Sequence, residues 1–243
     1  MNSNKKTAKI AGLLYLIVVL SGIFNLMYVP SKLMVWGNAS ATFNNIIASE
    51  TLFRLGIVSG LICYIFFLLL PVVLYKLLKP VNKTHALLMI LLAVVSVPIS
   101  FVNMLNKFAV LTLISKADYL KVFEMDKLQA QVLLYLDSYN NGNQIASIFW
   151  GLWLLPFGYL VFKSGFLPKI LGILLMAGCF GYLIDFIGDF LFTNYGKIGI
   201  STFITLPGSI GEIGTCLWLL IMGARDSGQD FANPKTHTKK LSS

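Results

Sequence analysis

The sequence predicts an all-α integral membrane protein, a bundle of six transmembrane helices with N- and C-termini cytoplasmic. Three observations predict it. Of the 243 residues, 57% are hydrophobic and only 12% charged, with mean hydropathy +0.78. Soluble domains carry roughly 25% charged residues, so this chain has too little charge to coat a water-facing surface. Six apolar runs each reach the about 20 residues that cross about 30 Å of hydrocarbon as a helix. The net charge of +9 sits in short turns and tails, as a topology signal does, and forms no basic face on a soluble domain for nucleic acid.

The predicted spans are residues 9–29, 54–76, 84–114, 143–163, 169–194 and 199–223, within one transmembrane domain over 1–224. The first follows Lys5, Lys6 and Lys9, like a signal peptide. The small-residue triplet Ala39-Ser40-Ala41 lies too far past the apolar run for cleavage, so the span is read as retained. Before the second span, Ala41 to Leu52 form an amphipathic run expected to enter that helix along the membrane surface. The third run is long enough to tilt or project beyond the bilayer. Residues 116–142 place Tyr119, Phe123, Leu128, Val132, Leu133 and Leu136 among charges, a spacing that predicts a helix lying on the outer surface and covering the bundle. Residues 225–243 form a polar, disordered cytoplasmic tail. Faint echoes link Lys9-Ile10-Ala11-Gly12 with Lys169-Ile170-Leu171-Gly172, and Leu70-Pro71 with Leu155-Pro156. Chance similarity of apolar helices explains them as well as duplication does.

Orientation follows from the basic residues on alternate sides. With the N-terminus inside, the cytoplasmic set is Lys5, Lys6, Lys9, Lys76, Lys79, Lys83, Lys163, Lys169, Arg225, Lys235, Lys239 and Lys240. The outer set is Lys32, Arg54, Lys107, Lys116, Lys121, Lys127 and Lys197. Twelve against seven favours both termini in the cytoplasm. Asp118, Glu124, Asp126 and Asp137 neutralise the outer loop.

Polar residues inside the spans mark the candidate site. Ser96, Ser100, Asn103 and Lys107 share one helical stripe, as do Gly178, Gly181, Asp185 and Asp189, and Thr205, Ser209, Glu212 and Cys216. The expectation is that helices 3, 5 and 6 pack around a shared polar seam. At about 1.5 Å per residue from the basic boundary, Asp185 lies about 24 Å deep and Glu212 about 20 Å. Asp189, Asn103, Arg54 and Lys107 lie about 30–36 Å in, where Arg54 or Lys107 can snorkel or turn inward to pair with Asp189. Carboxylates at such depth are expensive and carry a function or a partner.

Three readings are open. The first is an outward-facing cavity using Asp185, Glu212, Asp189, Asn103, Arg54 and Lys107 to bind or transport a small cationic or polar solute. The second is a structural or regulatory membrane subunit in which the same residues lock helices together. The third is an intramembrane enzyme with Asp185 and Glu212 as an acid–base pair. Most membrane-enzyme chemistries lack their residues. The histidines are His85, in a turn, and His237, in the tail, which leaves no helix-borne haem ligand, HExxH or Ser-His pair. No lysine sits mid-membrane in the last helix for a Schiff base, and Asp185 and Asp189 on one helix do not make an aspartyl-protease dyad. Cys63, Cys179 and Cys216 follow no metal spacing and read as buried thiols. The chain also has no Walker A loop, GxGxxG fingerprint or Cys/His box. No catalytic residue, cofactor or metal is therefore assigned; the expected partners are the bilayer and a small solute.

The run Phe149-Trp150-Gly151-Leu152-Trp153-Leu154-Leu155-Pro156-Phe157-Gly158-Tyr159-Leu160, then Lys163-Ser164-Gly165-Phe166-Leu167-Pro168-Lys169-Ile170-Leu171-Gly172 and Gly181-Tyr182-Leu183-Ile184-Asp185, resembles the bacterial family of domain of unknown function 4386. Lys9 to Tyr15, Ala48 to Gly56, Lys79-Pro80-Val81-Asn82, and Gly211-Glu212 with Leu217-Trp218-Leu219 extend the resemblance over roughly residues 7–224. It implies an uncharacterised multi-pass protein of the bacterial cytoplasmic membrane and carries no activity over. Members often have a histidine just before helix 4; here Leu136-Asp137-Ser138-Tyr139-Asn140-Asn141-Gly142 has none, so no role resting on it transfers. Asp185 and Glu212 match the family pattern.

Overall fold

The computed structural model describes residues 3–115 and 117–224. Lys116, Arg225, Lys235, Lys239, Lys240, His237 and the tail 225–243 lie outside the described residues, as do the readings that rest on them. The described chain is helical and contains no strand. Asn4–Leu33, Glu50–Leu78, Lys83–Ile114, Met125–Ser164, Lys169–Leu191 and Ile200–Ile221 are six helices long and apolar enough to cross a membrane.

The first span is α1 (Ser3–Ile23), a π-helical turn Phe24–Tyr28, and α2 (Val29–Leu33). The π turn widens the helix by one residue and buries Asn25; such bulges recur at functional sites inside helices. A separate helix α3 (Ala39–Ala48) follows, its N-terminus capped by Asn38 Oδ1 on the Ala41 amide at 2.9 Å. The sequence predicts this run to enter the next helix; instead Ser49, at φ −132° and ψ 43°, breaks it, and α4 (Glu50–Leu78) starts afresh. Asn82 Oδ1 caps α5 (Lys83–Ile114) through the His85 amide at 3.0 Å. At 32 residues, α5 is about 48 Å long, so it overshoots the hydrocarbon.

The largest departure from the sequence reading is between α5 and the fourth span. Residues 125–142 form no surface helix. They are the first half of α6 (Met125–Leu152), which runs antiparallel along the overshooting end of α5 and continues into α7 (Leu154–Ser164). Val132, Leu136 and Tyr139 are buried because α5 offers them protein to pack on, where lipid or water was expected. The helix breaks at Trp153; Pro156, three residues on, has no N–H to return to the preceding turn. Gly165, at φ 73°, ends α7 in the left-handed region that glycine enters freely. α8 (Lys169–Leu191), the short α9 (Tyr195–Ile198) and α10 (Ile200–Ile221) complete the chain.

In lipid, helices gain little from hydrophobic burial against one another, and close van der Waals packing on small residues takes its place. α8 and α10 touch through glycines: a Cβ on Gly178 would lie 2.4 Å from Gly208 Cα, and one on Gly181 would lie 2.3 Å from the Ile204 carbonyl oxygen. α7 and α8 meet the same way at Gly158 and Gly172, whose added Cβ atoms would each stand 2.6 Å from the other's carbonyl oxygen. Gly223 lies against Lys5, so the two ends of the described chain share one end of the bundle. Cys63, Cys179 and Cys216 are buried free thiols.

Candidate functional site

The predicted seam of helices 3, 5 and 6 does not assemble. α5 packs on α4, α6 and α7, whereas α8 and α10 pack on each other, α8 also on α6 and α7, and α10 on α1. The α5 stripe faces inward along its whole length, whereas Asp189 and Ser209 on the other two stripes are exposed; the stripes meet different neighbours, and the six candidate residues divide into four groups.

Lys107 and Asn103 belong to a buried network between α5, α6 and the π turn. Lys107 is wholly buried, its Nζ 2.6 Å from Asn25 Oδ1 and 4.2 Å above the Tyr139 ring. Asn25 Nδ2 in turn donates to the Tyr139 hydroxyl at 3.0 Å. Asn103 Nδ2 donates to the Tyr139 carbonyl at 2.8 Å and to Asn143 Oδ1 at 3.1 Å. Gly142 permits this contact, since a Cβ there would fall 2.0 Å from Asn103 Oδ1. Lys107 therefore neither snorkels nor pairs with Asp189. Arg54 does not pair with Asp189 either: its guanidinium stays exposed and meets Glu50 Oε1 at 2.6 Å, one turn away at the start of α4.

Asp185 and Asp189 line a polar vestibule of about 610 Å³ between the π turn, α6 and α8, with Asp137, Asn140, Asn143 and Gln144. Gln144 Nε2 donates to Asp189 Oδ2 at 3.0 Å. Asp185 Oδ1 is buried without a hydrogen-bond partner. Asp137, read from the sequence as a charge that merely neutralises a loop, becomes a wall of this vestibule once α6 forms.

Glu212 lines a second chamber of about 200 Å³. Its Oε1 accepts a hydrogen bond from the Tyr15 hydroxyl at 3.0 Å, tying α10 to α1. Six aromatic residues, Tyr15, Tyr64, Phe67, Trp150, Trp153 and Tyr182, share its wall with aliphatic residues such as Val18, Val19, Ile23 and Ile213, and no Lys or Arg lines it. The rings hold one another. Trp153 stacks on Phe157 with centroids 5.0 Å apart and planes 12° from parallel, and meets Phe67 edge-on at 5.2 Å and 87°. Trp150, Tyr182 and Leu26 line both chambers, so Asp185 and Glu212 lie in adjoining compartments rather than across one substrate position. Sequence reasoning missed the aromatic residues because rings in an apolar helix read as core; Tyr15 and Asn25, polar tips in the most apolar part of helix 1, were the available signals.

The arrangement places one carboxylate and six aromatic rings around the same cavity. Quadrupoles of such rings attract a cation at their faces, and a carboxylate at this depth costs about 2.5–3.5 kcal/mol by insertion scales, which a single phenol does not offset. Among the described residues no three His, Cys, Asp or Glu side chains converge as a metal-ligand set.

No solved structure matches this chain. An uncharacterized protein of Archaeoglobus fulgidus is 32% identical over 155 residues, covering 63% of this chain and 75% of that protein. A family model, described as a domain of unknown function, matches residues 10–223 and includes the residues of both chambers. By that match the chain belongs to the DUF4386 family.

Proposed function

We propose that this multi-pass membrane protein binds, and passes across the bilayer, a small organic cation of the alkyl- or aryl-ammonium class. The cation is held in the aromatic chamber with Glu212 as counter-charge and is admitted through the vestibule of Asp137, Asp185 and Asp189. The observation that carries the reading is the joining of six rings and one carboxylate, without a basic residue, around about 200 Å³. An apolar cavity of about 150 Å³ accepts benzene, and drug-sized ligands occupy about 300–1,000 Å³, so the chamber suits an ion of few heavy atoms. Each well-placed ring contributes about 0.5–2 kcal/mol to a desolvated cation.

Orientation belongs to the same proposal. Lys5, Lys6, Lys9, Lys76, Lys79, Lys83, Lys163 and Lys169 crowd the end that carries the termini, while Glu50, Asp118, Glu124, Asp126, Asp137 and Asp189 lie toward the other end. In this reading the positive-inside bias favours a cytoplasmic side for the basic end of the bundle, with the vestibule opening outward.

The test uses purified protein in dodecyl maltoside, with thermal unfolding and calorimetric titration against phenethylammonium, tetraethylammonium and choline, and sodium as control. Wild type gains stability from one of them. Glu212→Gln, which keeps an acceptor for Tyr15, stays folded and binds about 10–100-fold more weakly. A purely structural role, favoured by the Tyr15–Glu212 hydrogen bond between α1 and α10, predicts instead a loss of stability in Glu212→Gln with no cation response in either protein, and that result sinks the binding reading.

A further inference from the structure

The end of the bundle away from the vestibule carries a third cavity, independent of the cation chamber. It spans about 490 Å³ between the start of α1, the turn after α4 and the end of α7. Leu77, Val81 and Phe166 give it an apolar floor, and Asn4, Tyr159 and Lys163 a polar wall. Tyr159 is fixed by face-to-face stacking on His85, centroids 4.3 Å apart. Lys163 and Lys169 stand on the same ring, their Nζ atoms 6.0 and 5.7 Å from the Phe162 centroid. This end gathers Lys5, Lys6, Lys9, Lys76, Lys79, Lys83, Lys163 and Lys169, yet among the described residues no Asp or Glu occupies it. The ion pairs formed by the described residues, Arg54–Glu50, Lys121–Asp118 and Lys127–Glu124, all lie at the opposite end.

We propose that this cavity binds an anionic phosphate group. Lys163 supplies the charge, and the Asn4 amide and Tyr159 hydroxyl supply hydrogen bonds. The apolar floor receives the stem of the ligand when the phosphate belongs to a lipid. Basic pockets between transmembrane helices hold anionic headgroups in this way, and lysine makes short, charge-assisted bonds to phosphate oxygens. A lipid headgroup and free phosphate share this chemistry, and the test separates them.

Delipidated protein in dodecyl maltoside is melted with dioctanoyl phosphatidylglycerol, with dioctanoyl phosphatidylcholine, and with sodium phosphate. Wild type is compared with Lys163→Ala and with Lys127→Ala, an exposed lysine at the far end. Phosphatidylglycerol is expected to raise Tm by about 5 °C in wild type and Lys127→Ala and by less than about half of that in Lys163→Ala. A matching rise with sodium phosphate identifies free phosphate as sufficient; a rise with phosphatidylglycerol alone identifies the lipid. Equal shifts with phosphatidylglycerol and phosphatidylcholine overturn the proposal, as does an undiminished shift in Lys163→Ala. Tyr159→Phe, which keeps the stack on His85, gives a second reading of the same wall: it is expected to weaken the phosphatidylglycerol shift, and an unchanged shift in both variants rejects the site.

Discussion

Replacing Asn25 with leucine keeps the branching and the number of side-chain heavy atoms in the π turn and removes both hydrogen bonds that Asn25 makes, to Lys107 Nζ at 2.6 Å and to the Tyr139 hydroxyl at 3.0 Å. Lys107 is wholly buried, and the Tyr139 ring at 4.2 Å is then its remaining contact of note. Stranding a buried lysine costs more than the bond it made, because the group loses water without replacement. The Asn25–Lys107 bond alone accounts for about 1.5–3 kcal/mol, and with the loss at Tyr139 the variant is expected to be about 3–5 kcal/mol less stable. Lys107→Met strands only the Asn25 carbonyl and costs about 1–3 kcal/mol. The double variant replaces both partners by apolar groups of like shape, so its cost falls below the sum of the singles by about 1.5–3 kcal/mol. Reversible unfolding from detergent micelles into SDS, followed by tryptophan fluorescence, measures all four corners of this cycle. Costs that add to within about 0.5 kcal/mol would show that Asn25 and Lys107 are not coupled, and the account of the π turn as a holder for Lys107 would fail.

Other expectations test separate parts of the molecule. Gly178→Val puts side-chain carbons against Gly208 Cα, where even a Cβ would stand at 2.4 Å; with backbone on the other side nothing yields, and a loss above about 3 kcal/mol is expected by the same SDS titration. Gly142→Ala drives a methyl into Asn103 and should lower the melting temperature more than Gly196→Ala, beside which no atom lies within 4 Å. Trp153→Leu removes the ring that stacks on Phe157 and meets Phe67; it should weaken ammonium binding about tenfold in calorimetry, and an unchanged Kd would remove the cage from the binding account. Single cysteines at Lys6 and Tyr119, in a background without native cysteines, should react with an impermeant maleimide from opposite sides of intact membranes, Tyr119 from outside; the reverse pattern refutes the orientation.

The six spans were legible because a bilayer demands long apolar runs, and that demand acts on every residue of the run. The start of the fourth span was not. Asn140, Asn141, Asn143 and Gln144 interrupt apolarity where the helix leaves the hydrocarbon, and the stripe Val132, Leu136, Tyr139 fits a helix on a membrane surface as well as one packed on α5. Hydropathy cannot distinguish lipid from a neighbouring helix as the apolar partner. The same limit explains the seam. Ser96, Ser100, Asn103 and Lys107 do mark one inward face, but a stripe gives a direction and not the helix that it meets. Glu212 was legible as costly charge, and its partner Tyr15, 197 residues away, was not. A cation was one partner open to Asp189; Gln144 donates to it instead, and Gln144 lay in what the sequence marked as the first turn of a span.

The wall between the two chambers bears on how a cation could travel. Trp150, Tyr182 and Leu26 face both compartments, and behind them α6 and α8 are already at contact: a Cβ on Gly151 would lie 2.6 Å from Tyr182 Cβ and 3.3 Å from the Cys179 carbonyl. The two helices therefore have no slack to part by a small adjustment at this level. In the proposed reading, passage from the vestibule to Glu212 needs a turn of the Tyr182 or Trp150 ring, or a rearrangement of α1 at its π turn, which places Leu26 opposite them. Gly151→Ala separates these routes. A methyl there pushes directly on Tyr182 and leaves the π turn untouched, so ring gating predicts an altered rate of ammonium association with Glu212 still in place, read by stopped-flow quenching of tryptophan. An association rate equal to wild type, with folding intact, moves the gate to helix 1.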